Sequence, residues 1–122
     1  MIILAANDTL AAGASVASQV TCTLFGMELN NTTETYKVLD QRQLDSSPET
    51  IYTATANGPT FIRTITVNNN DAVVRTFRLF RAGTANANAI TPKFTLLPGG
   101  AAIYEDGLGW QFFNNSGQVL VS

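Results

Sequence analysis

Two features dominate the chemistry-bearing residues of this 122-residue chain. One is three arginines at intervals of three, Arg75, Arg78 and Arg81; the other is an adjacent acidic pair, Glu105 and Asp106. The acidic pair sits in FTLLPGGAAIYEDGLGWQFFNNSG (94–117), a span holding five of the nine glycines. A glycine-rich loop binds phosphate when its N–H groups gather at the start of a helix that follows a buried strand. Here LPGG leads into AAIYED and GLGW into QFF, both strand-like, and no Lys-Ser/Thr follows the glycines. A calcium loop needs alternating oxygen ligands, whereas EDGLG offers two carboxylates and then turns apolar. Glycoside hydrolysis by paired carboxylates needs them about 5–9.5 Å apart across a cleft. Neighbouring residues of a strand point to opposite faces, so Glu105 and Asp106 cannot share a substrate.

The chain has no histidine and one cysteine, Cys22. Ser-His-Asp, Cys-His and zinc arrangements are therefore closed to it. Cys22 alternates with Val16, Val20 and Leu24 and reads as a small core residue. No catalytic, cofactor-binding or metal-ligating set emerges, and the chain reads as a non-enzyme without a cofactor.

The arginines divide between faces. In a strand, Arg75 and Arg81 accompany Phe77 and Leu79, while Arg78 accompanies Val74 and Phe80. Arginine among aromatics can stack on bases, anchor a protein interface, or lay its stem over apolar surface at a rim. A net charge of −2, the split faces and the lack of any recognisable binding motif argue against nucleic acid. Tyr104, Trp110 and Phe112 form a second aromatic set, open to two readings: a glycan platform or part of the core.

The bulk numbers fit one domain, 1–122, with a hydrophobic fraction of 45% and a charged fraction of 13%. Charge is unevenly spread: residues 1–60 carry two cations against six acids, and 61–122 five against three. Such halves could dock subunits head to tail. MIILAANDTLAAG lacks a basic leader region, and no segment nears the roughly 20 apolar residues of a bilayer span. We therefore expect assembly in a cytoplasm and no membrane partner. Residues 1–8 form a candidate N-terminal extension or arm, with Ile2, Ile3 and Leu4 packing on a partner or completing a sheet.

Helical periodicity is almost absent, and short alternating runs between turn residues recur instead. Strands are expected at 15–29 with a bulge near Gly26, and at 35–40, 61–67, 73–81, 93–97, 102–106, 110–113 and 118–122. The 61–67 and 73–81 runs, joined by NNNDA, read as a hairpin. LDQRQLDSSPET (39–50) reads as a long inter-sheet connection with room for a helical turn. TLAAGASV and TLLPGGAA read as equivalent glycine corners. Together these imply an all-β fold, an antiparallel β-sandwich of jelly-roll-like character.

Residues 49–110, with IYTA, TFIRTITVNNND, RTFRLFRAG and LLPGGAAIYEDG in that order, resemble small structural proteins of tailed bacteriophages. That resemblance implies a virion protein without enzymatic activity, a head decoration or cement protein. It would be assembled in the host bacterial cytoplasm and would bind the outside of the capsid. Its partners would be the major capsid protein and itself, as a homodimer or homotrimer, with Ile2, Ile3, Leu4, Arg75, Arg78 and Arg81 as interface candidates. The alternative is a phage tail, fibre or surface module that binds a host receptor or glycan through Tyr104, Trp110 and Phe112. A cellular carbohydrate-binding sandwich is a third reading.

Overall fold

The computed structural model describes residues 1–120. Ten strands follow in order: β1 (Ile2–Leu4), β2 (Thr9–Ala14), β3 (Val20–Asn30), β4 (Thr33–Gln43) and β5 (Glu49–Thr53); then β6 (Thr60–Asn69), β7 (Arg75–Arg81), β8 (Phe94–Leu96), β9 (Ala101–Glu105) and β10 (Gly109–Phe113). The larger sheet runs β10-β9-β6-β3-β4, and the smaller β5-β2-β7-β8. β1 joins the larger sheet by pairing with β6 at Thr60–Ile62, while β9 pairs with the same strand at Thr64–Asn68. Because β3 occupies the other side of β6, β1 and β9 lie end to end along one edge. All pairings are antiparallel, and most consecutive strands fall in opposite sheets. The fold is an antiparallel β-sandwich.

The inner faces follow from period-two alternation. Val20, Cys22 and Leu24 of β3 and Ile65 and Val67 of β6 pack against Leu10, Ala12 and Ala14 of β2 and Phe77 and Leu79 of β7. β6 breaks its alternation once. Ile62 and Ile65 are both buried because Arg63 is the extra residue of a bulge opposite Phe25 and Gly26. Ile62 thus belongs to the core, not to the outer side implied by strict alternation, and the bulge expected near Gly26 is present. Gly26 is required there: a Cβ would lie 2.2 Å from the Phe61 carbonyl oxygen.

Several expectations are corrected. The runs 61–67 and 73–81 do not form a hairpin; β6 and β7 lie in opposite sheets, and NNNDA is the corner between them. A central strand such as β6 needs partners on both edges, which β3, β1 and β9 supply. The corner is held by Asn69, 1% exposed, whose Nδ2 donates to the carbonyls of Val73 (2.9 Å) and Leu97 (3.0 Å), with a longer contact to Leu96. Its Oδ1 accepts the Asp71 N–H at 3.0 Å.

β4 extends to Gln43, so the inter-sheet connection shrinks to 44–48 and contains no helical turn. Among the described residues the one helical turn is a 3-10 turn at Asn86–Asn88. TLAAGA is a strand and Gly13 is buried within it, so it is no counterpart of the corner at Gly99, which has φ +65°. Residues 118–120 contribute an isolated bridge, Phe113 with Val119, in place of the expected strand; 121–122 lie outside the described residues.

Burial also defines the chemistry of Cys22. Its thiol is pushed up to about 12, chiefly by burial and secondarily by Asp40. A thiol held protonated at neutral pH is a poor nucleophile. A thiol-reactive dye is expected to leave Cys22 unmodified in the native protein and to label it stoichiometrically in denaturant, read by mass spectrometry.

Candidate interaction surfaces

β7 fixes the three arginines in different environments. Arg75, at the start of the strand, pairs with Asp71 at 2.6 Å, and this hydrogen-bonded contact holds the Asp71 carboxyl below its usual range. Arg81, at the other end, meets the buried Asp8 Oδ2 at 2.7 Å as an ion pair without hydrogen-bond geometry. Both are internal ties that brace the ends of β7. Arg78 alone turns to the outer face of the smaller sheet, where its guanidinium lies 5.8 Å from the centre of the Phe80 ring. Its Nε donates to the Thr91 carbonyl at 2.9 Å. The three therefore do not form one patch.

Thr91 completes this arrangement. β8 pairs with β7 only from Arg75 to Phe77, and residues 89–91 cover the rest of that edge. Ile90 N–H donates to the Leu79 carbonyl, and Thr91 Oγ1 accepts the Leu79 N–H at 3.1 Å. A side-chain hydroxyl here replaces a strand carbonyl.

Tyr104, Trp110 and Phe112 pack against the core. Trp110 lies 5.2 Å from Phe94, 5.4 Å from Tyr104 and 5.6 Å from Phe77 between ring centroids, with planes inclined by about 50° in each pair. Phe112 meets Phe94 edge-on at 5.0 Å. A sugar platform needs an open aromatic face. These rings turn toward one another, Phe77 and Phe94, the packing expected of core residues.

The N-terminal trio separates in the same way. Leu4 is fully buried in the protein's own core, and Ile2 pairs with Ile62 and packs on that core. Ile3, 57% exposed, points outward. Residues 2–4 are a strand of the larger sheet, anchored where the Met1 amine meets Asp106 Oδ1 at 3.1 Å.

Ile3 leads to a surface that sequence reasoning missed. Ile3 is in register with Phe61, Phe61 with Met27, and Met27 with Tyr36. Residues directly opposite one another share a face of a sheet. These four make an apolar row across β1, β6, β3 and β4 on the outer face of the larger sheet, with Ile3 and Tyr36 exposed, Phe61 partly so and Met27 only 7% exposed. The adjacent row adds Val38 and Phe25 in register, and continues into Thr64 and Glu105. Tyr36 and Val38 are more than half exposed, and Arg63 lies 5.8 Å from the Tyr36 ring centre. The next row on the same face is polar, with Thr66, Thr23 and Gln41 in register. An outer sheet face is ordinarily polar, so apolar rows with tyrosine and arginine have the composition of a protein interface. The signal was present in the sequence, but the bulges at 24–26 and 63 reverse the alternation and hide which residues face outward.

A polar tie closes the nearby end of the sandwich. Glu28 of β3 accepts a short hydrogen bond from the Tyr52 hydroxyl of β5 and pairs with Lys37 Nζ at 2.8 Å. Tyr52 also contacts Thr60 Oγ1 at 3.0 Å. Lys37 and then Tyr52 hold the Glu28 carboxyl below its ordinary range, while burial opposes them. A carboxyl depressed on folding stabilises fully above its unfolded pKa, and the gain is lost as pH falls through the folded value. Tyr52 is pushed up to about 12, by burial first and by Glu28 second. Its contribution persists below the ordinary tyrosine range and is lost as pH rises through about 12. Glu28→Gln is expected to lower unfolding free energy by about 1 kcal/mol near neutral pH. In urea titrations the difference from the parent should fade in acid, below the ordinary carboxylate range.

Among the described residues no three His, Cys, Asp or Glu side chains cluster as metal ligands would. Nor is any helix among the described residues long and apolar enough to cross a membrane. Fold and surface together define a β-sandwich with one interface-like face. No protein-family model matches the chain, and no curated protein or solved structure matches it either.

Proposed function

We propose that this chain is a non-enzymatic virion structural protein that decorates a tailed-phage capsid and braces neighbouring major capsid subunits. The observation that carries the reading is the apolar outer face of the larger sheet, where Ile3, Phe61, Met27 and Tyr36 run in register beside Phe25 and Val38. A decorating protein works through binding energy alone, so it needs a rigid core and a low-charge docking face rather than an active site. The sandwich supplies a fully buried core, and the apolar rows supply a face of that kind. The segment resemblance over residues 49–110 points to the same class. The partners on this reading are the major capsid protein and further copies of the chain, and the location is the capsid surface.

The test is binding to decoration-free heads of the phage that encodes the chain. Tyr36→Ser with Val38→Ser removes exposed apolar surface and should alter stability by no more than about 0.5 kcal/mol per site. Cosedimentation with the heads is expected to fall at least about tenfold, equivalent to roughly 1.4 kcal/mol. Undiminished binding by the double variant, or cryo-EM density on the tail or fibres in place of the head, would overturn the reading.

A further inference from the structure

The other side of the sandwich carries a groove of about 610 Å³. Gly13, in register with Arg78, places no side chain on this face, and Pro48 packs directly over it, where a Cβ would lie 3.0 Å from the Pro48 Cα. Pro48 and the 84–86 segment form its sides, and Arg78 and Lys93 both line it. The volume lies within the range of about 300–1,000 Å³ typical of small-ligand sites.

Its charge is distinctive when the ion pairs are followed around the molecule. Arg42, Arg75, Arg81 and Lys37 each have a carboxylate partner, and the Met1 amine has Asp106. Among the described residues only Arg63, Arg78 and Lys93 have no carboxylate within 4.0 Å, and two of these three share this groove. None of the lining residues is acidic. The nearest acids in sequence are Asp45, which turns Oδ1 to the Ser46 N–H at 2.7 Å, and Glu49, which meets Arg42 Nη1 at 3.7 Å. Arg78 is also pre-set. Its Nε is held by Thr91 and its plane rests near Phe80, which leaves the two terminal nitrogens free of protein partners among the described residues. A guanidinium fixed in this way presents a planar fork suited to a carboxylate.

The remaining lining sorts the anions. Ser46, Thr84 and Asn86 add neutral hydroxyl and amide groups, which donate to and accept from hydroxyls. We propose that this groove binds a carboxylate-bearing saccharide unit, with Arg78 and Lys93 on the carboxylate and the hydroxyl and amide side chains on the sugar hydroxyls. A peptide amide can also engage these groups, but a sugar acid presents several hydroxyls around one carboxylate, matching two cations beside three neutral hydroxyl and amide side chains. The site is independent of the capsid reading. It lies on the opposite face from the apolar rows, so a protein docked through those rows would turn the groove to solvent.

The experiment is a ¹⁵N NMR titration of the full chain in dilute buffer, with digalacturonate as the probe. A neutral disaccharide, triglutamate and inorganic sulfate are the comparison arms. Digalacturonate is expected to shift Gly13, Arg78 and Lys93 amides saturably with Kd near or below about 1 mM, or roughly −4 kcal/mol. Arg78→Gln should weaken binding at least about tenfold. Lys93→Gln, which disturbs no internal hydrogen bond, should weaken it by a factor of about three or more. Absence of saturable shifts overturns the proposal. So does equal binding of sulfate or triglutamate, which would reduce the groove to a general anion or acidic-peptide site. An unchanged affinity in a folded Lys93→Gln together with Arg78→Gln would likewise remove the site from this groove. Loss of capsid binding without loss of digalacturonate binding, or the reverse, separates the two proposals.

Discussion

Asn69→Ala is expected to cost about 2–4 kcal/mol of unfolding free energy, a large share of the 5–15 kcal/mol that typically holds a domain together. The Asn69 amide serves the backbone of two separate segments. Nδ2 donates to Val73 in the corner and to Leu97 beyond β8, and Oδ1 receives the Asp71 N–H. Alanine removes all of these at a site that is 1% exposed to water, leaving carbonyls unpaired and a cavity beside them. Asn69→Asp should be at least as damaging near neutral pH, because a carboxylate would face the same carbonyls without donors. Urea unfolding gives the magnitude. Native-state hydrogen exchange should show the loss concentrated at residues 70–74 and 96–100. A change within about 0.5 kcal/mol of the parent would mean that the corner is held by something other than this side chain.

Trp110→Ala is the second large effect, about 3 kcal/mol, at the lower end of the range for removing a large aromatic because the ring is only half-buried. Its ring touches Phe77, Phe94 and Tyr104, and so links the inner face of the β9–β10 hairpin to β7 and β8 of the opposite sheet. Thermal unfolding should move down and the near-UV dichroism of the aromatic cluster should collapse. Trp110→Phe should recover part of the loss. A glycan platform would behave in the opposite way, with stability unchanged and only ligand binding lost. Thermal melts of the two variants thus decide between the two roles for Tyr104, Trp110 and Phe112.

The same reasoning shows what could and could not be read along the chain. Alternation in FIRTITV and RTFRLFR gives strands at β6 and β7, but alternation says nothing about which strand lies beside which. NNNDA has the composition of a hairpin loop. Its function as a corner depends on carbonyls of residues 96 and 97, which are distant in sequence and reach Asn69 only in the folded state. Arg75, Arg78 and Arg81 illustrate the same limit. Their spacing is visible, but Asp71 and Asp8 claim two of them through tertiary contacts and leave only Arg78 facing an open groove. The apolar rows were hidden because one extra residue, Arg63, inverts the facing of all that precedes it on β6.

The all-β character, the bulge at Gly26, the buried thiol of Cys22 and the lack of histidine chemistry can all be read along the chain. Each of these depends on local pattern or on residue inventory. Tertiary structure alone decided the sheet assignment of β6 and β7, the pairing of the arginines, the aromatic packing around Trp110 and the two outer faces. Those depend on contacts between segments far apart in the chain, whose geometry is set by closing the sandwich. The glycine-rich stretch 94–117 shows both sides of this. Its turns at Gly107 and Gly109, with φ of +86° and +78°, are legible as hairpin residues. That Glu105 is the one exposed residue of β9 while Asp106 takes the Met1 amine follows only from β1 lying end to end with β9 along β6.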